Sequence, residues 1–257
     1  MVLMESVRFF RMTSDEAPLR RGGGKRYAPL ALPRRRLLLP VLALAGALLL
    51  AGCTMKVQKE VIVLEDEGKC REFLRLHPSI PAAHYALGVA VAKKGETDEA
   101  IKEFREAIRL NPDYAEAHYI LGVALSDKGE TDEAIKEYRE TIRSNPYYAE
   151  AHYNLGVALG KKGESDEAIK EYREAISLKP GYAVAHYNLA CCYALQGKKE
   201  EALQSLAKAV DYAYENWPLM EKDKDLNSLR EDPRFKVLAE KVKARWEEKQ
   251  KKEGKGK

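Results

Sequence analysis

Four of the five histidines recur at a fixed spacing of 34 residues: His84, His118, His152 and His186. Regularly placed imidazoles suggest a metal, and zinc would need its ligands about 2.0–2.1 Å from one ion. Equivalent residues in stacked helical units lie at least a helix spacing apart, roughly 8–10 Å. The four cannot share an ion and read as packers between helices. Partly buried imidazoles would make the fold sensitive to pH. Carboxylates are concentrated in three near-copies, GETDEAIKEFRE at 95–106, GETDEAIKEYRE at 129–140 and GESDEAIKEYRE at 163–174. Acid–base chemistry needs two carboxyls in unlike environments within a pocket. On a helix, Ala134, Ile135, Tyr138 and Thr141 share the inward face, while Asp132, Glu133, Lys136, Glu137 and Glu140 face water. Asp132 stands four before Lys136, a pair worth a few tenths of a kcal/mol, and acids in the first turn suit the helix dipole. Cys191 and Cys192 are adjacent and Cys70 is far away, so these three form no disulfide framework. They read as small apolar residues. No Ser/His/Asp or Cys/His set, metal-ligand spacing or phosphate loop is present, so we expect no catalytic residue, no metal and no cofactor.

The 257 residues suggest one or two domains, and 45% hydrophobic with 33% charged residues fits a folded, well-solvated protein. The net charge of +4 comes from the ends. Residues 1–52 carry +6 and residues 241–257 carry +5, leaving the body near −7. An acidic body argues against nucleic-acid binding, which needs a basic face. The tail reads as a solvated helix end, with contact to an anionic surface as the alternative.

The elements follow from the repeat. In residues 115–148, His118, Leu121, Gly122 and Leu125 fall on one face of a helix. After the turn DKGET, Ala134, Tyr138, Thr141 and Ile142 form a second stripe. Gly129 breaks the chain between the helices and Pro146 ends the second. The columns Leu87/Leu121/Leu155/Leu189, Gly88/Gly122/Gly156/Ala190, Ala100/Ala134/Ala168/Ala202, Phe104/Tyr138/Tyr172/Leu206 and Pro112/Pro146/Pro180 recur every 34 residues. This resembles the tetratricopeptide repeat, a helix–turn–helix unit of that period. The resemblance covers roughly residues 66–240 and implies an all-α, right-handed α-solenoid with degenerate caps at both ends. It divides the chain into an N-terminal capping half-repeat at 66–80, repeats at 81–114, 115–148 and 149–182, a degenerate fourth at 183–215, a C-terminal helical cap at 216–249 and a basic tail at 250–257.

The front of the chain is an address. Arg34, Arg35 and Arg36 precede an apolar run from Leu37 to Ala51, the order of a secretory signal. About fifteen residues fall short of the ~20 that span a bilayer. LAGC at 50–53 resembles the lipobox of bacterial lipoproteins. That resemblance implies cleavage before Cys53, acylation of its thiol and a tether at 53–65, with residues 1–52 removed. Several acyl chains anchor stably where one does not. Thr54 in place of an aspartate resembles outer-membrane sorting, with the protein facing the periplasm. The arginines also resemble a twin-arginine signal, and Met12 is a second plausible start.

In the repeat family the first helices line the concave side. The matching stripe is Tyr85 and Val89; Tyr119, Val123 and Ser126; Tyr153 and Val157; Tyr187 and Cys191, with Tyr114, Tyr148 and Tyr182 just before the helices. Tyrosine offers large contact area with a polar tip, which suits peptide binding; it also packs against the next repeat. The carboxylate-clamp subfamily has Lys and Asn where Tyr119 and Val123 stand, so that specificity is not expected. The expected function is a membrane-anchored scaffold or adaptor binding a partner protein or extended peptide in the groove, with no nucleic acid and no small-molecule substrate. The alternatives are a self-assembling envelope module and a non-exported cytosolic binding module.

Overall fold

The computed structural model describes residues 66–254. The signal segment, Cys53 and the tether lie outside the described residues. The chain divides into two compact units, Met1–Pro112 and Asp113–Lys257. All described regular structure is helical.

The first unit holds α1 (Glu67–Leu76), α2 (Pro81–Ala92) and α3 (Thr97–Leu110). The Asp66 side chain caps α1 by accepting from the Lys69 amide at 3.1 Å. Phe73 and Leu74 of α1 pack on Ala82 and Ala83 of α2, and Cys70 is fully buried. Pro81 starts α2, where its missing N–H costs nothing.

The second unit holds α4 (Ala115–Asp127), α5 (Thr131–Ser144), α6 (Ala149–Lys161), α7 (Ser165–Leu178), α8 (Ala183–Leu195), α9 (Lys199–Asp211), the short α10 (Trp217–Lys222), a 3₁₀ helix (Lys224–Leu229) and α11 (Pro233–Gly254). The helices pair as α4/α5, α6/α7 and α8/α9, and the second helix of each of the first two pairs packs on the first helix of the next. Gly95, Gly129, Gly163 and Gly197 each turn the chain with φ between +72° and +86°, a region open to glycine at little cost.

Close approach within each pair is set by one contact. A Cβ built on Gly122 would lie 2.7 Å from Cε1 of Tyr138, and the same holds at 2.5 Å for Gly88 on Phe104 and 2.8 Å for Gly156 on Tyr172. In the fourth pair Ala190 fills the glycine's place and the ring becomes Leu206, both fully buried. Thr141 replaces the alanine of its column and satisfies its hydroxyl by donating to the Glu137 carbonyl at 2.9 Å.

The charged outer segments do more than the expected Asp132–Lys136 pairing. Asp132 pairs instead with Lys162 of the next repeat at 2.8 Å, Arg139 meets Glu167 at 3.3 Å, and Gln196 donates to Asp166 at 2.9 Å. Lys162 also reaches Glu164 at 3.0 Å, which holds it in reach of Asp132. The contacts of Asp132, Arg139 and Gln196 are exposed and run between repeats, and the two ion pairs among them have the small value usual at a surface.

At the C-terminal end the Asp232 side chain accepts from the Arg234 amide at 2.9 Å and opens α11. Helix α11 runs on to Gly254, so part of the tail expected at 250–257 is helical. Lys249–Glu215 at 2.7 Å and the i,i+4 pair Lys252–Glu248 at 2.7 Å support its last turns. The break between α10 and the 3₁₀ helix lays the latter across α8.

Candidate functional site

The first-helix stripe is wired into the fold. Before α6, Tyr148 stacks on Tyr119 with centroids 4.8 Å apart, and before α8, Tyr182 leans on Tyr153 at 5.0 Å. Both first-helix rings also lean on the second helix of their pair, Tyr119 on Tyr138 at 6.2 Å and Tyr153 on Tyr172 at 6.0 Å. Asn154 Nδ2 donates to the Tyr119 hydroxyl at 3.1 Å and Asn188 Nδ2 to that of Tyr153 at 3.3 Å. Burial pushes the Tyr114 hydroxyl up to about 12, with Glu116 adding to it, and burial raises Tyr153 too. Both hydroxyls therefore stay protonated at physiological pH. In the first unit, Tyr85 leans on Phe104 at 6.0 Å and is half-buried, as is Val89.

Exposure separates the expected groove residues. Tyr114, Ser126, Tyr148, Tyr153, Val157 and Tyr182 are half-buried. Tyr119, Val123, Tyr187 and Cys191 are buried and do not line an open groove. Tyr119 is held by Tyr148 and Asn154. Tyr187 and Cys191 are covered by the chain's own ending: the Tyr187 hydroxyl donates to Asp223 Oδ2 at 2.6 Å, Cys191 Sγ lies 3.5 Å from the same oxygen, and Tyr214 stacks on Tyr187 at 4.3 Å. Ser228 Oγ donates to the Ala194 carbonyl at 3.3 Å, and Leu226 and Leu229 are fully buried. The open part of the stripe in the second unit is therefore centred on α6: Tyr153, Val157 and exposed Gly160, flanked by Tyr182. Lys179 lies 4.6 Å from the Tyr182 ring and 3.3 Å from Glu150.

The sequence reading missed the residues that hold this stripe. Asn154 and Asn188 follow the tyrosines directly, where the first two copies have Ala86 and Ile120; that change from apolar to amide was the available signal. Asp223 lies off the repeat pattern and gave none, while Tyr214 stands in register where the fourth copy loses its closing proline.

The histidine column packs as expected but carries partners. Nδ1 meets a carboxylate nineteen residues on: Glu103 for His84 at 2.7 Å, Glu137 for His118 at 2.6 Å and Glu171 for His152 at 2.7 Å. Nε2 of His84, His152 and His186 faces the carbonyl of Pro78, Pro146 and Pro180 at 3.0–3.1 Å. The fourth repeat has Ser205 at the glutamate position, and His186 stacks on Tyr212 at 5.4 Å instead.

A second apolar groove lies between α9 and α11, with a volume of about 420 Å³ and Leu203, Ala207, Val237 and Leu238 on its walls. Glu200 and Arg234 close one side through a 2.7 Å ion pair. Among the described residues no helix is long and apolar enough to cross a membrane.

Stacked helix pairs with a tyrosine-lined first-helix face define a helical repeat protein, built to present a surface. The chain belongs to the tetratricopeptide repeat family. Models of the family match residues 92–129, 124–163, 149–182 and 171–204. A crystal structure of MamA is 31% identical with a TM-score of 0.54, covering 56% of this chain and 84% of that one. A second MamA structure is 26% identical with a TM-score of 0.55, covering 65% of this chain and 96% of that one. YrrB, described as a TPR protein with an unusual peptide-binding site, is 26% identical with a TM-score of 0.51, covering 63% of this chain and 81% of that one. A search of the curated proteins finds no match.

Proposed function

We propose that this protein is a membrane-anchored scaffold that binds a partner protein or an extended peptide on the first-helix face of its repeats. The observation that carries the binding half is the α6 stripe. Tyr153, Val157, Gly160 and Tyr182 offer apolar and aromatic surface that the chain itself leaves partly open, with the Tyr153 ring held by its contacts with Asn188 and Tyr172. Rigid aromatic surface loses little entropy on binding. The peptide-binding site described for YrrB supports the same reading. Binding and not catalysis is the role proposed, because the stripe brings together no nucleophile and base.

The test is a crosslinked capture from envelope membranes with Val157→Glu and Gly160→Arg together. Neither position is a core site: Gly160 is exposed and a Cβ there meets only the Tyr172 hydroxyl at 3.9 Å. Capture of the specific partner should drop at least tenfold while the thermal midpoint holds. If every captured partner persists at its original level, the groove is not the binding face.

The anchoring half rests on LAGC and its apolar run. Processing before Cys53 with acylation would place the array at an envelope membrane, the outer one facing the periplasm being favoured by Thr54. Mass spectrometry of the mature protein should find Cys53 at the N-terminus carrying fatty acids. An unmodified N-terminus upstream of Cys53 would return the chain to the non-exported reading.

A further inference from the structure

Helix α1 is a second helix without a first. Pro78 stands thirty-four residues before Pro112 and Cys70 thirty-four before Phe104, so α1 holds the register of the second helix of a pair. In the first three complete pairs that column meets the first helix: Phe104 on Gly88, Tyr138 on Gly122 and Tyr172 on Gly156. Among the described residues no helix precedes α1 to play that part. Cys70 is nevertheless 0% exposed. We propose that the chain just upstream supplies the cover. Val61, Ile62, Val63 and Leu64, which lie outside the described residues, seat on the face of α1 that a first helix would occupy.

Three features select that occupant. The first is the entry to α1. Asp66 caps the helix with extended backbone, φ −101° and ψ 130°, and its carbonyl accepts from the Cys70 amide at 3.0 Å. At such a start, an apolar residue just outside the cap commonly packs against the fourth helical residue. Cys70 is the fourth residue of α1, and Leu64 is the nearest apolar residue before the cap. The second feature is the continuity of the face. Cys70, Phe73 and Leu74 fall at i, i+3 and i+4, on one side of the helix. Beyond the fully buried cysteine, Phe73 and Leu74 are only partly buried against Ala82 and Ala83, with Ala86 beside them. The third is reach. At about 3.3–3.6 Å per residue, Val61 stands no more than ~18 Å of chain from Asp66. Four consecutive aliphatic side chains on so short a link meet this face at high effective concentration, ahead of any free occupant.

The contact has a consequence for the anchor, which rests on the membrane-anchored reading above. With Val61–Leu64 seated, only Thr54–Glu60 are left to span from Cys53, at most about 25 Å when fully extended. A link free from Thr54 to Glu65 would span about 43 Å. The seated segment therefore holds the first unit close to the membrane surface, and the four residues belong to the fold of that unit and not to the tether.

The experiment uses the full-length chain carrying Cys53→Ser, reduced and treated with N-ethylmaleimide under native conditions. Peptide mass spectrometry reads the labelling rate of each cysteine. Cys70 should react about a hundredfold more slowly than in urea, as a thiol opened only by local unfolding does. Ile62→Asp with Leu64→Asp should speed Cys70 at least tenfold and leave Cys191 and Cys192 unchanged. Ile62→Val with Leu64→Ile should keep Cys70 protected. Amide hydrogen exchange of α3 in the aspartate pair should match the parent, which separates uncovering from loss of the fold. A reactive Cys70 in the parent, a Cys70 still protected in the aspartate pair, or exposure that comes only with opening of α3 would overturn the proposal. The chain tested carries no acyl group, so the outcome is independent of whether Cys53 is processed. Partner capture by the α6 face is likewise measured separately.

Discussion

Gly122→Ala is expected to lower the free energy of unfolding by about 1–3 kcal/mol, although glycine to alanine inside a helix would otherwise gain about 0.5–1 kcal/mol. The new methyl would stand 2.7 and 2.8 Å from Cε1 and Cδ1 of Tyr138. That ring cannot retreat. It is 2% exposed, Tyr119 leans on it, and Ser126 hydrogen-bonds its hydroxyl. Tyr138→Leu alone should also destabilise, by about 2 kcal/mol, because it leaves a cavity. Together the two changes should cost less than their sum by at least ~1 kcal/mol, since each relieves the other. The fourth repeat already contains this combination as Ala190 and Leu206, both fully buried. Urea unfolding of the four species, followed by circular dichroism, measures the coupling. Strict additivity would mean that the glycine column is not there for the ring.

The second large effect is on pH dependence and centres on His152. Its Nδ1 lies 2.7 Å from Glu171 and its Nε2 3.1 Å from the Pro146 carbonyl. Both neighbours are acceptors, so only the imidazolium, with two N–H groups, satisfies both contacts. Burial works to lower the pKa of His152, but the Glu171 carboxylate and the Pro146 carbonyl outweigh it, and Glu174 adds to them; the net shift is upward. A pKa raised by folding means that the folded state holds the proton more tightly. The stabilisation is complete below the ordinary histidine value of about 6.5 and is lost as pH rises through the raised value. The thermal midpoint should therefore fall as pH is taken from 6 to 8.5. His152→Leu should cost about 1.5–3 kcal/mol at pH 6, the range for a hydrogen bond to a charged group, and clearly less at pH 8.5. Equal losses at the two pH values would show that His152 packs as a neutral ring.

The helices, their turns and the repeat register were legible in the residues alone. Each depends on chemistry within a few positions: a glycine able to take positive φ at 95, 129, 163 and 197, a proline that ends or begins a helix, and an apolar stripe of helical period. The small-to-large pairing of Gly122 with Tyr138 was also within reach, because a fixed period carries one local solution to the next repeat. Contacts between repeats were less so. Asp132 had a sequence neighbour to pair with in Lys136 yet meets Lys162 of the next repeat, because stacking brings that side chain nearer. Tyr119 and Tyr153 looked alike in sequence, yet one is buried and the other half-open. Only the tertiary structure decided where the stripe ends. Residues 216–229 break the period, so no register argument places them. Their fold-back over α8 comes from burying Leu226 and Leu229 and seating Asp223 on Tyr187. That packing closes the last stretch of the expected groove and brings Cys191 within reach of Asp223, more than thirty residues away.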